Sequence, residues 1–526
     1  MHVEERQKRP RKFRDRRPTA DMSPKVKGRG DGPAVALILA GLIVLAFVLR
    51  FWRLGEWNFQ ATEMFTLRDS VTPQFGNSRP LGYLLNYYLV KPFLPLDEFG
   101  LRLLPAVFGV LTIPAFYFVS RRLVGTRAAL FGTLLLTLSP LLIMYSQLAR
   151  YWSLVFLLSA IYPYAIYLGI RERDPRALAL GVVTGVLAAF AHPVSVLLVG
   201  GLALWFVVTY LQPGDLAQLW SRKSVRWGAV LTLIVAALIA ARFVPVLKGW
   251  ITVHDKNPGY GQFLASPPGG PGVKQISYIL ALVESLTVPL VLSAVAGICV
   301  LWQRRDRSLA LYLSSLAIFP IAFIMLVSLR TAVSAYYLLP AVPVFFIGAG
   351  VFLDMLVEIK WDLRPRWLVP ATLTVVIVAA GMPTLISDYW DGRRYDFRSA
   401  AHWLEARVTP GDIVFSDQPM VLAHYLPETP VERLRPDPFP LTSSLRRLFR
   451  SGAGGALWIV APAASHAFRT NLREGGLISW IYDNCKLQNS FGVGRVDFRE
   501  HYVHLYRCQP AAPNVAPRSA RSPTTP

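Results

Sequence analysis

Acidic residues are scarce in this chain: 32 Asp and Glu stand against 55 Lys and Arg, and charged residues make up only 17% of 526 positions. A soluble domain carries about 25% charged residues, so the shortage argues against a body that faces water on all sides. Cysteine is scarcer, with three in all, and none is spaced to hold a structural zinc or attach a haem. The basic excess, a net charge of +23, is not gathered on one compact region as nucleic-acid binding requires. It is spread between long apolar runs and an N-terminal tail, which excludes nucleic acid as a partner. Nor is there an internal repeat of the kind that marks a transporter built from paired halves.

What is abundant is apolar residues, 53% of the chain, with a mean hydropathy of +0.39. Residues 1–32 are rich in Arg, Lys and Pro and cannot bury a core, so they read as a disordered basic cytoplasmic tail beside anionic lipid. The first apolar run, Val35 to Trp52, is long for a signal peptide and is followed by no small-residue cleavage site. Further runs, each long enough to cross a ~30 Å hydrocarbon core, fall near 100 to 120, 127 to 147, 152 to 170, 176 to 192 and 193 to 211. Others fall near 228 to 248, 278 to 302, 308 to 328, 335 to 357 and 367 to 387. The expectation is a mainly α, polytopic membrane domain over 33–387 with about eleven transmembrane helices.

Orientation follows from the basic junctions, because Lys and Arg loops stay on the cytoplasmic side. Arg121-Arg122, Arg171 to Arg176, Arg222 to Arg226, Arg304 to Arg307 and Lys360 to Arg366 all land inside if the N-terminus is inside. An odd number of helices then carries the C-terminal region outside, from a multi-pass protein of the inner (plasma) membrane. The first outer loop, 53–100, is long, and a second outer segment runs from Gly249 to Lys274. Within the first, Pro80 to Pro95 is apolar but too short to span and reads as an interfacial helix.

Residues 388–510 read as a small extracytoplasmic α/β domain. A helix is expected over Phe397 to Ala406, and strands at Ile413 to Ser416, Ala456 to Val460 and Tyr502 to Tyr506. Cys485 and Cys508 both fall here. In an oxidising compartment they form either a disulfide or two free thiols. Residues 511–526 are Pro-, Ser- and Ala-rich and read as disordered.

Ionisable residues at the ends of apolar helices are functional candidates by default, and here they gather on the outer side. Glu63 follows the first helix, and a carboxylate flanked by Met64 and Phe65 needs a partner. Glu98 and Arg102 open the second helix, Arg150 and Tyr151 fill a tight turn, His192 sits at the next, and Arg330, Tyr336 and Tyr337 occupy another. Each has a plainer reading: Arg150 and Arg330 as snorkelling cations, the tyrosines as an aromatic belt, and His192 as a helix C-terminal residue. A divalent ion on Glu98 and His192 rests on two separated ligands only.

In this order the segments resemble the glycosyltransferase-C superfamily, in its branch of protein O-mannosyltransferases and lipid A aminoarabinose transferases. The residues that carry the resemblance are Thr62-Glu63, Pro80-Leu-Gly-Tyr83-Leu-Leu, Glu98-Phe-Gly-Leu-Arg102-Leu-Leu-Pro105, Ser146-Gln-Leu-Ala-Arg150-Tyr151, Asp396-Phe-Arg-Ser-Ala-Ala and Pro410-Gly-Asp-Ile-Val. The resemblance implies inverting transfer of a sugar from a polyprenyl-phosphate-linked donor to a lipid, glycan or protein acceptor at the outer face. It implies Arg102, Arg150 or Arg330 at the donor phosphate and a carboxylate base. The family's first acidic residue is Thr62 here, whose hydroxyl cannot serve as that base. Glu63 is then the expected base, with Asp69 or Asp97 as substitutes. The competing readings are a non-catalytic polyprenyl-lipid-binding or scaffold protein, and a transporter or flippase.

Overall fold

The protein is described from a computed structural model, which defines residues 32–210, 276–304, 306–329, 333–359, 367–391, 395–435, 438–444, 455–462, 476–492 and 502–508. Helix α1, Pro33–Phe51, is apolar on every side, and only a stripe of Leu39, Leu42, Ala46 and Arg50 is buried. That pattern is a membrane helix touching its bundle along one edge. The loop 53–100, expected on the outer side, folds into α2 (Ala61–Ser70), α3 (Pro80–Leu85) and a π-helical turn, Asn86–Val90. The expected interfacial helix is thus shorter than Pro80 to Pro95 and changes its winding at Asn86. Helix α4, Glu98–Val124, starts where the Asp97 side chain accepts from Gly100 N at 2.8 Å.

Five described helices are long and apolar enough to cross a membrane: Pro33–Phe51, Glu98–Val124, Trp152–Arg171, Arg307–Val327 and Leu368–Trp390. Three bent pairs raise this to eight if each is one span: Thr126–Thr137 with Pro140–Ser146, Ile276–Leu286 with Val288–Gln303, and Ala335–Ala341 with Pro343–Glu358. A proline stands at each break (Pro140, Pro289, Pro343), where its missing N–H and its ring interrupt the helical ladder. Pro175–Ala191 and Pro193–Thr209 are shorter apolar helices. The described residues therefore carry the expected count to between five and eight. The run near 228 to 248 and the outer segment Gly249 to Lys274 lie outside them.

The helices pack through small residues, as membrane bundles do. A Cβ on Gly297 would lie 1.8 Å from the Gly348 carbonyl oxygen, so these two helices touch backbone to backbone. At one end of the bundle the described basic junctions, at 121–122, 171–176 and 304–307, meet one another. Arg122 pairs with Glu172 and Asp174, Arg171 with Asp306, Arg304 with Glu358, and Arg127 with Asp354 and Glu358.

The C-terminal region forms a five-stranded sheet in the order β2-β1-β3-β5-β4, with β1 Ile413–Ser416, β2 Val431–Arg433, β3 Leu457–Pro462, β4 Cys485–Phe491 and β5 Val503–Cys508. The pairs β1-β2 and β1-β3 are parallel, and β3-β5 and β4-β5 are antiparallel. Central β3 is buried at every position because both faces of the sheet are covered. Val414, Trp458, Val460 and Leu505 point to one apolar cluster, and Phe415, Leu457, Ile459 and Ala461 to another. Cys485 and Cys508 face each other across β4 and β5 and are joined as a disulfide.

Candidate active site

Glu63 and Arg102 are both fully buried and face each other. Glu63 Oε1 accepts from Arg102 Nε at 2.9 Å and from Ala149 N at 2.7 Å, and its Oε2 accepts from Arg102 Nη2 at 2.9 Å and Gln60 N at 2.8 Å. The last bond closes a capping box at the start of α2. Arg102 also donates to the carbonyls of Leu54, Trp57 and Asn58 at 3.2, 2.7 and 3.0 Å. Each of its five N–H groups is therefore engaged. This geometry gives both residues a structural part in the fold. A carboxylate with four donors on its two oxygens has no lone pair turned toward a reactant, and a guanidinium with no spare N–H cannot grip a phosphate. They clasp the first outer loop to α4 and to the turn at Ala149.

The adjacent face of α2 is different. Thr62, Thr66 and Asp69 recur at helical spacing on one side, and Thr66 and Asp69 are buried. A cleft opens beside Thr66, lined among others by Tyr83, Asn86, Pro105, Arg150 and Tyr151. Two guanidinium groups converge on one phenol here. Arg79 Nη1 donates to the Tyr151 hydroxyl at 2.5 Å and Arg150 Nη2 to the same oxygen at 3.1 Å. Arg150 also lies 4.7 Å over the Tyr151 ring and donates to the Thr62 carbonyl at 2.9 Å. Asp69 accepts from Arg68 Nε at 2.8 Å on Oδ1 and from Asn77 Nδ2 at 3.2 Å on Oδ2, one donor per oxygen. Arg79 stood in the sequence only as the residue before Pro80; an arginine opening an apolar interfacial helix was the available signal.

Behind the cleft the expected aromatic and histidine residues assemble. His192 stacks on Tyr151 with ring centroids 4.9 Å apart and lies 4.9 Å from Trp152 and 5.7 Å from Tyr337. Tyr336 packs against Trp152 at 5.0 Å and Tyr337 at 4.6 Å, and Tyr83 meets Tyr151 edge-on at 6.3 Å. The tyrosines thus form a protein-facing cluster around His192 instead of a lipid-facing belt. His192 Nδ1 accepts from Val194 N at 3.0 Å, so in the neutral ring the proton sits on Nε2.

Glu98 lies elsewhere: its Oε1 accepts from Arg398 and, at 2.5 Å, from the Tyr425 hydroxyl, both in the C-terminal domain. Glu98 and His192 thus have separate partners. Among the described residues no group of three or more His, Cys, Asp or Glu is placed to hold a metal ion. Arg330 lies outside the described residues.

No protein-family model and no curated relative matches the sequence. Solved structures do. ArnT from Cupriavidus metallidurans bound to undecaprenyl phosphate superposes with a TM-score of 0.52 at 14% identity, over 91% of this chain and 98% of that one. The apo oligosaccharyltransferase of Archaeoglobus fulgidus gives a TM-score of 0.56 at 11% identity, over 89% of this chain and 76% of that one. At such identities the likeness is one of fold, and with the apolar helices it establishes a multi-pass membrane protein of the glycosyltransferase-C fold.

Proposed function

We propose that this protein transfers a sugar from a polyprenyl-phosphate carrier to a hydroxyl- or amine-bearing acceptor at the outer face of the membrane. The observation that carries the proposal is the pair Arg79 and Arg150 on the Tyr151 hydroxyl: two cations side by side and, among the described residues, no carboxylate paired with either. Neighbouring like charges in a desolvated cleft need an anion, and a phosphate between them meets that need in the bidentate manner guanidinium favours. The Leu104, Pro105, Phe108 and Leu154 side of the cleft supplies apolar wall for a prenyl chain. ArnT was itself crystallised with undecaprenyl phosphate.

Asp69 takes the role of base in this reading. It removes the proton from the acceptor, whose oxygen or nitrogen then forms a bond to the anomeric carbon. The sugar-to-phosphate C–O bond breaks, and its electron pair leaves on the polyprenyl phosphate, whose charge Arg79 and Arg150 balance. Direct displacement inverts the anomeric centre. Thr62 shares its helix face with Asp69, so the acidic function has moved two turns along α2 while staying on the same side of the cleft. A topology of eleven spans places the basic junctions inside and the disulfide-bonded domain outside, where a disulfide persists.

The test is to incubate the purified full chain with a panel of radiolabelled polyprenyl-phosphate sugars and a membrane extract. Transfer by the wild type that is lost in Asp69→Asn supports the reading. Binding of the lipid without transfer in either protein favours instead the non-catalytic reading that Thr62 motivates. In that case Thr62→Asp gains transfer only if chemistry alone has been lost.

A further inference from the structure

The C-terminal domain is fastened to the first outer loop at every level of its structure. Glu98 Oε1, at the first residue of α4, accepts from both Arg398 and the Tyr425 hydroxyl. The same hydroxyl accepts from Phe59 N at 2.9 Å, two residues before α2 begins. Asn58 Nδ2 donates to Asp396 Oδ1 at 2.9 Å, and Asp396 Oδ1 also caps the helix Phe397–Glu405 that carries Arg398. Around these polar ties, Phe59, Met64, Leu101 and Ala149 share one apolar core with Phe397, Val421, Leu422 and Val460. The chain from Asn58 to Phe59 thus lies between two clasps: Glu63 and Arg102 on the bundle side, Glu98, Arg398 and Tyr425 on the domain side.

We infer that the C-terminal domain is a positioning element of the cleft, with Glu98, Arg398 and Tyr425 as the positioning residues that set the angle of α2. Helix α2 is only ten residues long, and its apolar side chains Ala61, Met64 and Leu67 pack into the core shared with the C-terminal domain, so without that domain it would be marginal. Its N-terminus is fixed by what Phe59 and Gln60 bond to. Turning it moves Thr66 and Asp69 relative to Arg79 and Arg150, which are carried by α3 and the turn at 147–151. The kinetic part of this inference rests on the transferase reading above, whereas the mechanical part does not.

The test uses the detergent-purified full chain and three variants: Tyr425→Phe, Arg398→Glu, and Arg398→Glu combined with Glu98→Arg. Hydrogen exchange by mass spectrometry is read over residues 61–70. Faster exchange there in the first two, unchanged exchange in Arg307–Val327, and recovery in the charge-reversed double variant are the expected results. In the transfer assay, Tyr425→Phe should lower kcat about tenfold while leaving KM for the lipid donor within about twofold. Unchanged exchange over 61–70, or a double variant no better than Arg398→Glu alone, overturns the positioning role whether or not transfer is found. Wild-type protein that shows the exchange pattern but turns over no donor overturns the transferase reading and leaves the mechanical coupling standing.

Discussion

At the scale of single residues, neighbours in sequence do opposite work. Thr62 and Glu63 are adjacent, yet a helix turns successive side chains by about 100°, so Glu63 points into the clasp while Thr62 falls on the side of α2 that carries Asp69 and the cleft-lining Thr66. Removing one half of a buried pair leaves an uncompensated charge. Glu63→Gln should therefore cost about 3–5 kcal/mol of stability, read as a fall in Tm in detergent, and Arg102→Met should cost at least as much, because it also strips the carbonyls of Leu54, Trp57 and Asn58 of their donor. If Glu63→Gln abolished transfer with no loss of Tm, Glu63 would be the base after all. Asp69→Asn should do the reverse, lowering kcat by about 10²–10⁴ with Tm unchanged. Arg50 is a third buried polar case: its Nη1 reaches the Thr137 carbonyl at 3.4 Å, next to the break at Leu138 and Ser139.

At the scale of elements, the breaks and close contacts decide the bundle. Gly348 lies so near the neighbouring helix that a Cβ would come 2.6 Å from the Ala294 carbonyl oxygen. Gly348→Val should force the two helices apart and lower the yield of folded protein on size-exclusion chromatography, whereas Gly41→Val, at a position with nothing within 4 Å, should not. The apolar runs were legible in the sequence because length and hydropathy alone define a span, whereas the bends beside Pro140, Pro289 and Pro343 inside three of them were not read from it. The strands at Ile413–Ser416, Leu457–Pro462 and Val503–Cys508 were legible too, since they are apolar and central. The sequence did not reveal β2 and β4: they are the edge strands, and their residues, Val-Glu-Arg and Cys-Lys-Leu-Gln-Asn-Ser-Phe, are largely polar and face water.

At the scale of the whole molecule, the C-terminal domain and the membrane bundle share a core, and the domain's own titration should register in overall stability. Asp417, just after β1, has an Oδ1 that is sealed from solvent and accepts no hydrogen bond among the described residues. Burial pushes its carboxyl up to about 7, against the opposing pull of backbone hydrogen bonds and of Arg433. The folded state thus holds this proton longer than the unfolded chain does, so stability is greatest below the ordinary carboxylate range and declines as pH rises toward about 7. Thermal unfolding from pH 4 to 8 should show this decline, and Asp417→Asn should flatten it. A membrane-impermeant reductant followed by an impermeant maleimide should label Cys485 and Cys508 in intact cells if the domain lies outside.

The sequence by itself determined that this chain is a multi-pass membrane protein, because hydropathy acts locally and needs no partner to be read. It also marked the segments from which a site would come. Which side chains that site uses was decided only in three dimensions. Glu63 and Arg102 bond to each other, Glu98 bonds to the C-terminal domain, and Arg79 meets Arg150 at the Tyr151 hydroxyl, on which the proposed site rests. A hydrogen-bond partner ninety or three hundred residues away leaves no trace in local pattern, and it is such partners that separate the structural charges from those left facing the cleft.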